Sequence, residues 1–326
     1  MASSIPLRGR VGKRRALSRA RRDSRAGLWL VSPTFIVVLV MVVLPVLWAV
    51  ILSFKRIRLI NLRHVDLFSG PYTFQNYDRL FASSEFGRAV RTTLEFSVLG
   101  TTSAIVLGLI AALLVRGSFR GRGVVRGLML LPWVAPVVAL TFIWQVLLSP
   151  QLGLVNAFGT DVLGWDSPIP FLSQEHGNLS LLGVSIGVPT ALLVVIAFDA
   201  WRSFPFAFLF ILARLQAISP ELEEAARVDG ATPTQVFRHI VLPQLWGVIA
   251  LIAVLRFIFT FNDFDEVYLL TGGGAGTQVL AVQVYSFLSA RNDIGGGAAV
   301  AMFMAAGLVI LLIVYVRFFA AREEKA

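Results

Sequence analysis

Residues 219–243 read SPELEEAARVDGATPTQVFRHIVLP, a polar, helix-ready segment set between long apolar runs. Ser219 stands at an N-cap position and Pro220 at N1, where a missing N–H costs nothing. Glu221, Glu223 and Glu224 crowd the first turns, where the helix dipole favours negative charge. Gly230 is placed to end that helix as a left-handed residue. Thr232, Pro233 and Gln235 then supply an N-cap, an N1 proline and a capping-box partner for a second short helix, which Pro243 is expected to close. Helices of about ten residues are unstable alone in water because nucleation is costly, so these two need a surface to lean on. Spacing alone is also compatible with a solvated connector between membrane helices.

Working outward, the composition is that of a polytopic membrane protein. Of 326 residues, 56% are hydrophobic and 15% charged, with a mean hydropathy of +0.76, too apolar for a soluble globular chain. With no cysteine, disulfides, thiolate metal sites and cysteine nucleophiles are excluded. His64, His176 and His239 have no metal-ligand spacing, so no metal site is predicted. The net charge of +10 invites a nucleic-acid reading, but nine Lys/Arg fall between Arg8 and Arg25, directly before the first apolar run. Positive-inside orientation explains that placement, so lipid and not nucleic acid is the expected partner of the arm. The first apolar run exceeds the roughly 7–15 residues of a signal-peptide core and is read as a retained anchor.

In chain order, residues 1–26 form a basic cytoplasmic arm and 27–320 a transmembrane domain with spans at about 28–54, 92–115, 128–148, 181–216, 245–261 and 298–319. A short cytoplasmic tail covers 321–326. The loop carrying Arg116, Arg120, Arg122 and Arg126 has no acid and belongs inside; residues 149–180 have acids but no Lys or Arg and belong outside. Lys55, Arg56 and Arg58 disagree, lying just past span one on the outer side. Residues 181–216 would measure ~54 Å as one helix at ~1.5 Å per residue, too long for one straight crossing of a ~30 Å core. A single crossing interrupted near Trp201–Pro205 leaves residues 217–243 inside. The expected fold is all-α, with six transmembrane helices and both termini cytoplasmic.

No catalytic constellation stands out. TGGGAGT at 271–277 lacks the Lys-Ser/Thr of a phosphate loop and reads as a flexible outer loop, so no nucleotide site is found; if the chain transports actively, its energy comes from an ion gradient or another polypeptide. Ionisable residues within spans are functional suspects. Asp199 and Arg202, three apart in span four, can form a mutual ion pair or contact a substrate. Asn262 and Asp263 end span five beside Phe261, Phe264 and Tyr268, and span three offers Thr141, Trp144 and Gln145. Polar groups interleaved with aromatics suit sugars; the same aromatics also suit the bilayer interface.

Glu224-Ala225-Ala226, three residues, Gly230, nine residues, Ile240, one residue, then Leu242-Pro243 resembles the EAA motif of the membrane subunits of binding-protein-dependent ABC importers. Asp229-Gly230-Ala231 resembles the form frequent in the carbohydrate-uptake branch. Phe74-Gln75-Asn76-Tyr77, Trp201–Gln216 and FDEVYLLTGGGAGT at 264–277 resemble further segments of maltose-permease-like subunits, with Ala275 where proline is usual. The resemblance implies a permease for a di- or oligosaccharide such as trehalose or maltose, in a bacterial or archaeal cytoplasmic membrane. It implies a second permease, two ATPase subunits and an extracytoplasmic sugar-binding protein as partners. The chain itself would bind no cofactor and catalyse nothing; ATP and Mg would be used by the ATPases. Residues 217–243 become a coupling loop, with Glu224, Ala225, Ala226, Asp229, Gly230, Leu242 and Pro243 meeting the ATPase. Trp144, Gln145, Asp199, Arg202, Asn262, Asp263 and Tyr268 become candidates for the substrate pathway. Glycerol-phosphate esters are an alternative cargo. An ion-gradient transporter or a membrane-embedded enzyme are alternatives of other classes; the first would rest on Asp199 and Arg202, the second on Asp263, Asp265 and Glu266.

Overall fold

The computed structural model describes residues 30–60, 71–181 and 184–317. The basic arm, the first residues assigned to span one and the charged tail lie outside the described residues. The helices are α1 (Leu30–Ser53), α2 (Gln75–Ala82), α3 (Ser84–Leu114), α4 (Arg122–Val134), α5 (Val137–Leu147) and α6 (Leu154–Asp161). After a two-stranded hairpin, β1 (Gly177–Leu181) and β2 (Val184–Val188), come α7 (Thr190–Gln216), α8 (Pro220–Val228), α9 (Pro233–Phe261), α10 (Asp265–Thr271), α11 (Leu280–Ser289) and α12 (Ile294–Tyr315). Among the described residues five helices are long and apolar enough to cross a bilayer: α1, α3, α7, α9 and α12. α4 and α5 meet at a 93° bend and, counted together as one broken span, bring the number to six. The bend sits at Ala135, which is extended because the ring of Pro136 disfavours a helical conformation just before it.

The bundle is organised around α3 and α7. A Cβ on Gly108 would lie 2.7 Å from Ala207 Cβ and 2.8 Å from the Phe208 nitrogen, and one on Gly100 would lie 2.6 Å from Asp199 Oδ2. With Ala104 fully buried between them, these residues make a groove in which the two backbones approach closely, the usual means of helix association in lipid. At one end of the bundle Val115, Phe208, Ile211, Leu215, Ile218, Val236 and Leu245 form a buried cluster joining α3, α7 and α9 to the segment around α8. Toward the other end Phe96, Val195, Phe198, Val267 and Val279 pack α3 and α7 onto α10.

Two of the prolines within spans are accommodated in the same way. Pro45 and Pro243 each stand one residue beyond a π turn, Leu39–Val43 and Phe237–Val241. Proline has no N–H for the carbonyl four residues back and its ring crowds that carbonyl; a turn wound one residue wider accommodates both. Pro243 therefore does not close a short helix, as its position suggested. The second helix of the capped segment is the first part of α9, which runs on to Phe261.

Two other expectations are corrected. Residues 181–216 are not one interrupted crossing: Leu181 ends a strand paired in antiparallel register with β2, and α7 runs unbroken from Thr190 through Pro205. The excess length is absorbed by the hairpin. The glycine run at 271–277 is a closed turn. Gly272, Gly273, Ala275 and Gly276 all have positive φ, the Thr277 hydroxyl donates to Gly274 O at 2.7 Å, and Thr277 is fully buried. Glycine supplies the left-handed conformations the turn needs, and Ala275, at φ 49°, takes a conformation closed to proline.

The basic cluster past span one has a structural place. Asn76 donates to Ser53 O at 2.8 Å and Lys55 O at 2.9 Å, satisfying carbonyls left open at the end of α1, while Tyr77 donates to Ser53 Oγ. Gly295 approaches so closely that a Cβ would meet Lys55 O at 2.1 Å. Lys55 is buried, with its ammonium 5.0 Å from the Tyr72 ring centre. It belongs to a clamp joining α1, α2 and α12.

Replacing Gly108 with leucine forces apart a backbone contact and is expected to cost about 1–3 kcal/mol. A thermal-unfolding measurement in detergent should show a lower midpoint, while Gly117→Leu, where a Cβ meets nothing within 4 Å, should leave it unchanged.

Candidate functional site

At the α8 end of the bundle, Ser219 is extended and Pro220 opens α8 as the sequence implies, but the serine hydroxyl bonds the Glu221 carboxylate and not a backbone N–H. The helix ends in a Schellman turn: Ala231 N donates to Ala226 O at 2.9 Å, Gly230 N donates to Arg227 O at 3.1 Å, and Gly230 has φ 85°. The capping box of Thr232 and Gln235 is formed, with Thr232 N donating to Gln235 Oε1 at 2.7 Å. Glu224, Ala225, Asp229 and Gly230 are exposed; Ala226 and Leu242 are half-buried and Pro243 is exposed. Between α8 and the start of α9 lies a shallow cavity of about 420 Å³ bordered by Ala226, Asp229, Gly230, Gln235 and His239. The turn thus presents a hollow and two free carboxylates, Glu224 and Asp229, on a frame fixed by its own hydrogen bonds.

In the bundle interior Asp199 and Arg202 do not pair with each other. Asp199 Oδ1 accepts from Arg256 Nη2 at 2.7 Å and from Ser203 Oγ, while Arg202 Nη1 meets Glu266 Oε1 at 2.5 Å. Arg256 also donates to Thr260 Oγ1 at 2.9 Å, and Asp263 Oδ1 accepts the Glu266 N–H. Span four is tied by Asp199 to span five and by Arg202 to α10. Carboxylate oxygens of Asp199, Asp263 and Glu266 lie within 4.8 Å of one another. Arg256 serves Asp199 and Arg202 serves Glu266, so the cluster is held as a charge network. Burial pushes the Asp263 carboxyl up to about 6, Asp199 and Asp265 adding to the rise against the Glu266 N–H and Arg202.

The remaining pathway candidates fall into two groups. Trp144 packs edge-on to Phe198 at 5.2 Å and against Trp201 at 5.7 Å, and Gln145 donates to Leu269 O at 2.7 Å, tying α5 to α10. Thr141 is buried and donates to its own helix at Val138 O. Tyr268 stacks on Phe264 with ring centres 4.8 Å apart, and Tyr285 of α11 meets both, leaving an aromatic surface beside exposed Asn262. Gln145 and Asp199 are thus committed to internal partners, whereas Asn262 and Tyr268 stand at the surface. Arg256, Tyr285 and the buried Glu223 were missed by the sequence reading. For Arg256 the signal was present: an arginine within LIAVLRFIFTF is as costly in lipid as Asp199 and needs a partner.

A family model described as the binding-protein-dependent transport system inner membrane component matches residues 104–325. The chain belongs to that family. It is a multi-span inner-membrane subunit of a binding-protein-dependent ABC importer, a transport component that works with a binding protein and with separate subunits that hydrolyse ATP. It is 31% identical, over 91% of its length and 94% of the relative's, to a trehalose/maltose transport system permease protein (MalF) of Thermococcus litoralis. It is 33% identical, over 90% of its length and 94% of the relative's, to an inner membrane ABC transporter permease protein (YcjO) of Escherichia coli. Its fold superposes with TM-score 0.76 on a bacterial ABC transporter involved in the import of the polysaccharide alginate, at 23% identity, covering 94% of this chain and 99% of the other.

Removing Arg256 from this permease would leave Asp199 buried without its counter-ion. Arg256→Met is expected to cost about 3–5 kcal/mol, and Asp199→Asn combined with it should recover much of that loss. A double-mutant cycle on thermal unfolding in detergent checks both.

Proposed function

We propose that the permease translocates a di- or oligosaccharide such as trehalose or maltose, released into it by an extracytoplasmic sugar-binding protein. The observation that carries the coupling half of this reading is the turn that ends α8: nine residues opened by Pro220 and closed by the Schellman turn at Gly230, with Glu224 and Asp229 exposed. Such an element suits a groove on a cytoplasmic ATPase, where the two carboxylates orient the dock and Ala225 and Ala226 allow close approach. Gly230 makes the reversal, and Leu242 and Pro243 carry the chain into span five. Closure of a pair of ATPase subunits on ATP and Mg would displace α8, and α9 would carry the movement across the bilayer as a rigid body. The permease itself would bind no cofactor.

The sugar reading is supported by the likeness over nine-tenths of the chain to a trehalose/maltose permease, and by 30% identity to a diacetylchitobiose uptake permease (DasB) of Streptomyces coelicolor. Trp144 and the ring pair Phe264 and Tyr268 offer faces for sugar rings, and Gln145, Asn262, Asp263, Asp199 and Arg202 offer polar groups for hydroxyls once the bundle opens. A second permease would complete the pathway as a heterodimer. The arginine-rich end of the bundle, with Arg116, Arg120, Arg122 and Arg227, would face the cytoplasm with both termini.

Gly230→Ile places a β-branched residue at φ 85°, which costs about 1–2 kcal/mol or more. The variant should insert into membranes at the wild-type level, seen by immunoblot, while uptake of labelled trehalose or maltose falls about tenfold or more. Normal insertion with normal uptake would remove the coupling role.

A further inference from the structure

The coupling helix is held to its own chain by little. Of its apolar side chains only Ala226 packs on the neighbouring core, while Leu222 and Val228 are exposed. Glu223, three residues before Ala226 and so on the same face, is its one buried carboxylate. Glu223 Oε1 accepts from Arg116 Nη2, and Oε2 stands 4.0 Å from Arg227. Arg116 follows the last residues of α3, and the side chains of the pair are 27% and 12% exposed.

The backbone beneath Arg116 is fixed. Val115 is buried against the cluster that includes Ile211, Leu215 and Val236, and its carbonyl accepts from Arg126 of α4 at 2.9 Å. Arg116 therefore reaches from an anchored point, where spans two and three meet, to a helix otherwise secured only at its ends. The α8–α9 turn links α8 to span five by covalent structure; the ion pair is its grip on span two.

We propose that Arg116 is a positioning residue that fastens the coupling helix to the end of span two, so that displacement of α8 moves α3 together with α9. This rests on the reading of α8 as the ATPase-docking element. A partly buried, charge-assisted contact resists sliding in a way that one alanine contact does not. Since α3 is packed backbone-to-backbone on α7, force delivered to α3 reaches span four and its charge network.

The test uses the whole transporter in proteoliposomes, with its ATPases, second permease and binding protein, reading sugar uptake, basal ATPase and ATPase stimulated by sugar-loaded binding protein. Arg116→Gln and Glu223→Gln should leave subunit assembly intact and basal hydrolysis within about twofold, but lower uptake and stimulation about tenfold. The double variant should be no worse than either single one, and the exchange Arg116→Glu with Glu223→Arg should regain most of the loss. Wild-type uptake by Arg116→Gln, alongside loss of uptake in Gly230→Ile, overturns the fastening while leaving the docking reading standing. Wild-type uptake by both variants removes the docking reading as well. If Arg116→Gln fails to assemble, the exchanged pair decides: restored assembly and uptake support the contact, and no restoration overturns it.

Discussion

Close approach of α3 to α7 governs the bundle. In a lipid environment apolar area alone gives helices little reason to associate, so van der Waals contact and internal polar bonds must do so. Gly100, Ala104 and Gly108 remove side chains along one strip of α3, and α7 lies in the space left. The same strip creates the polar interior. Asp199 Oδ2 sits where a Gly100 side chain would be, so the carboxylate is buried because the helices touch, and Arg256 is drawn inward to answer it.

The two ion pairs of α7 divide its neighbours between them. Asp199 engages span five and Arg202 engages α10, one turn apart on the same helix. Rotation or tilt of α7 therefore strains both contacts together. Buried pairs add little net stability compared with apolar packing, but they tolerate few alternative registers. Their value here is in fixing which faces of spans four and five meet and where the aromatic segment around Phe264 lies.

What could be read in the sequence follows from the range of the interactions involved. The turn at Gly230 and the Thr232 capping box are local patterns, legible because caps act within a few residues. The partners of Asp199 and Arg202 were not legible. Spacing allowed the two to pair, and only the packing of three helices shows that Arg256 and Glu266 compete and win. Pro243 misled for a similar reason: proline rules describe an α-helix, and a π turn ahead of it removes the conflict. The glycine run at 271–277 looked loose because composition reports conformational freedom, whereas the turn uses that freedom to reach left-handed angles and then closes on Thr277. The second strand of the hairpin, Val184–Val188, was hidden inside an apolar stretch whose length, and not its residue pattern, was the warning.

The π turn at Phe237–Val241 has a further consequence, for angular phase. Each residue of an α-helix turns the chain by about 100°, so one residue more or fewer between the Thr232 cap and Arg256 would rotate the guanidinium away from Asp199 by more than a quarter of a revolution. The wide turn sets the azimuth of everything after it on α9 relative to the hollow beside α8 before it. A local rewinding of that turn to α geometry, with no change of length elsewhere, would act as a dial between the α8 surface and the buried charges, turning span five about its own axis instead of tilting it.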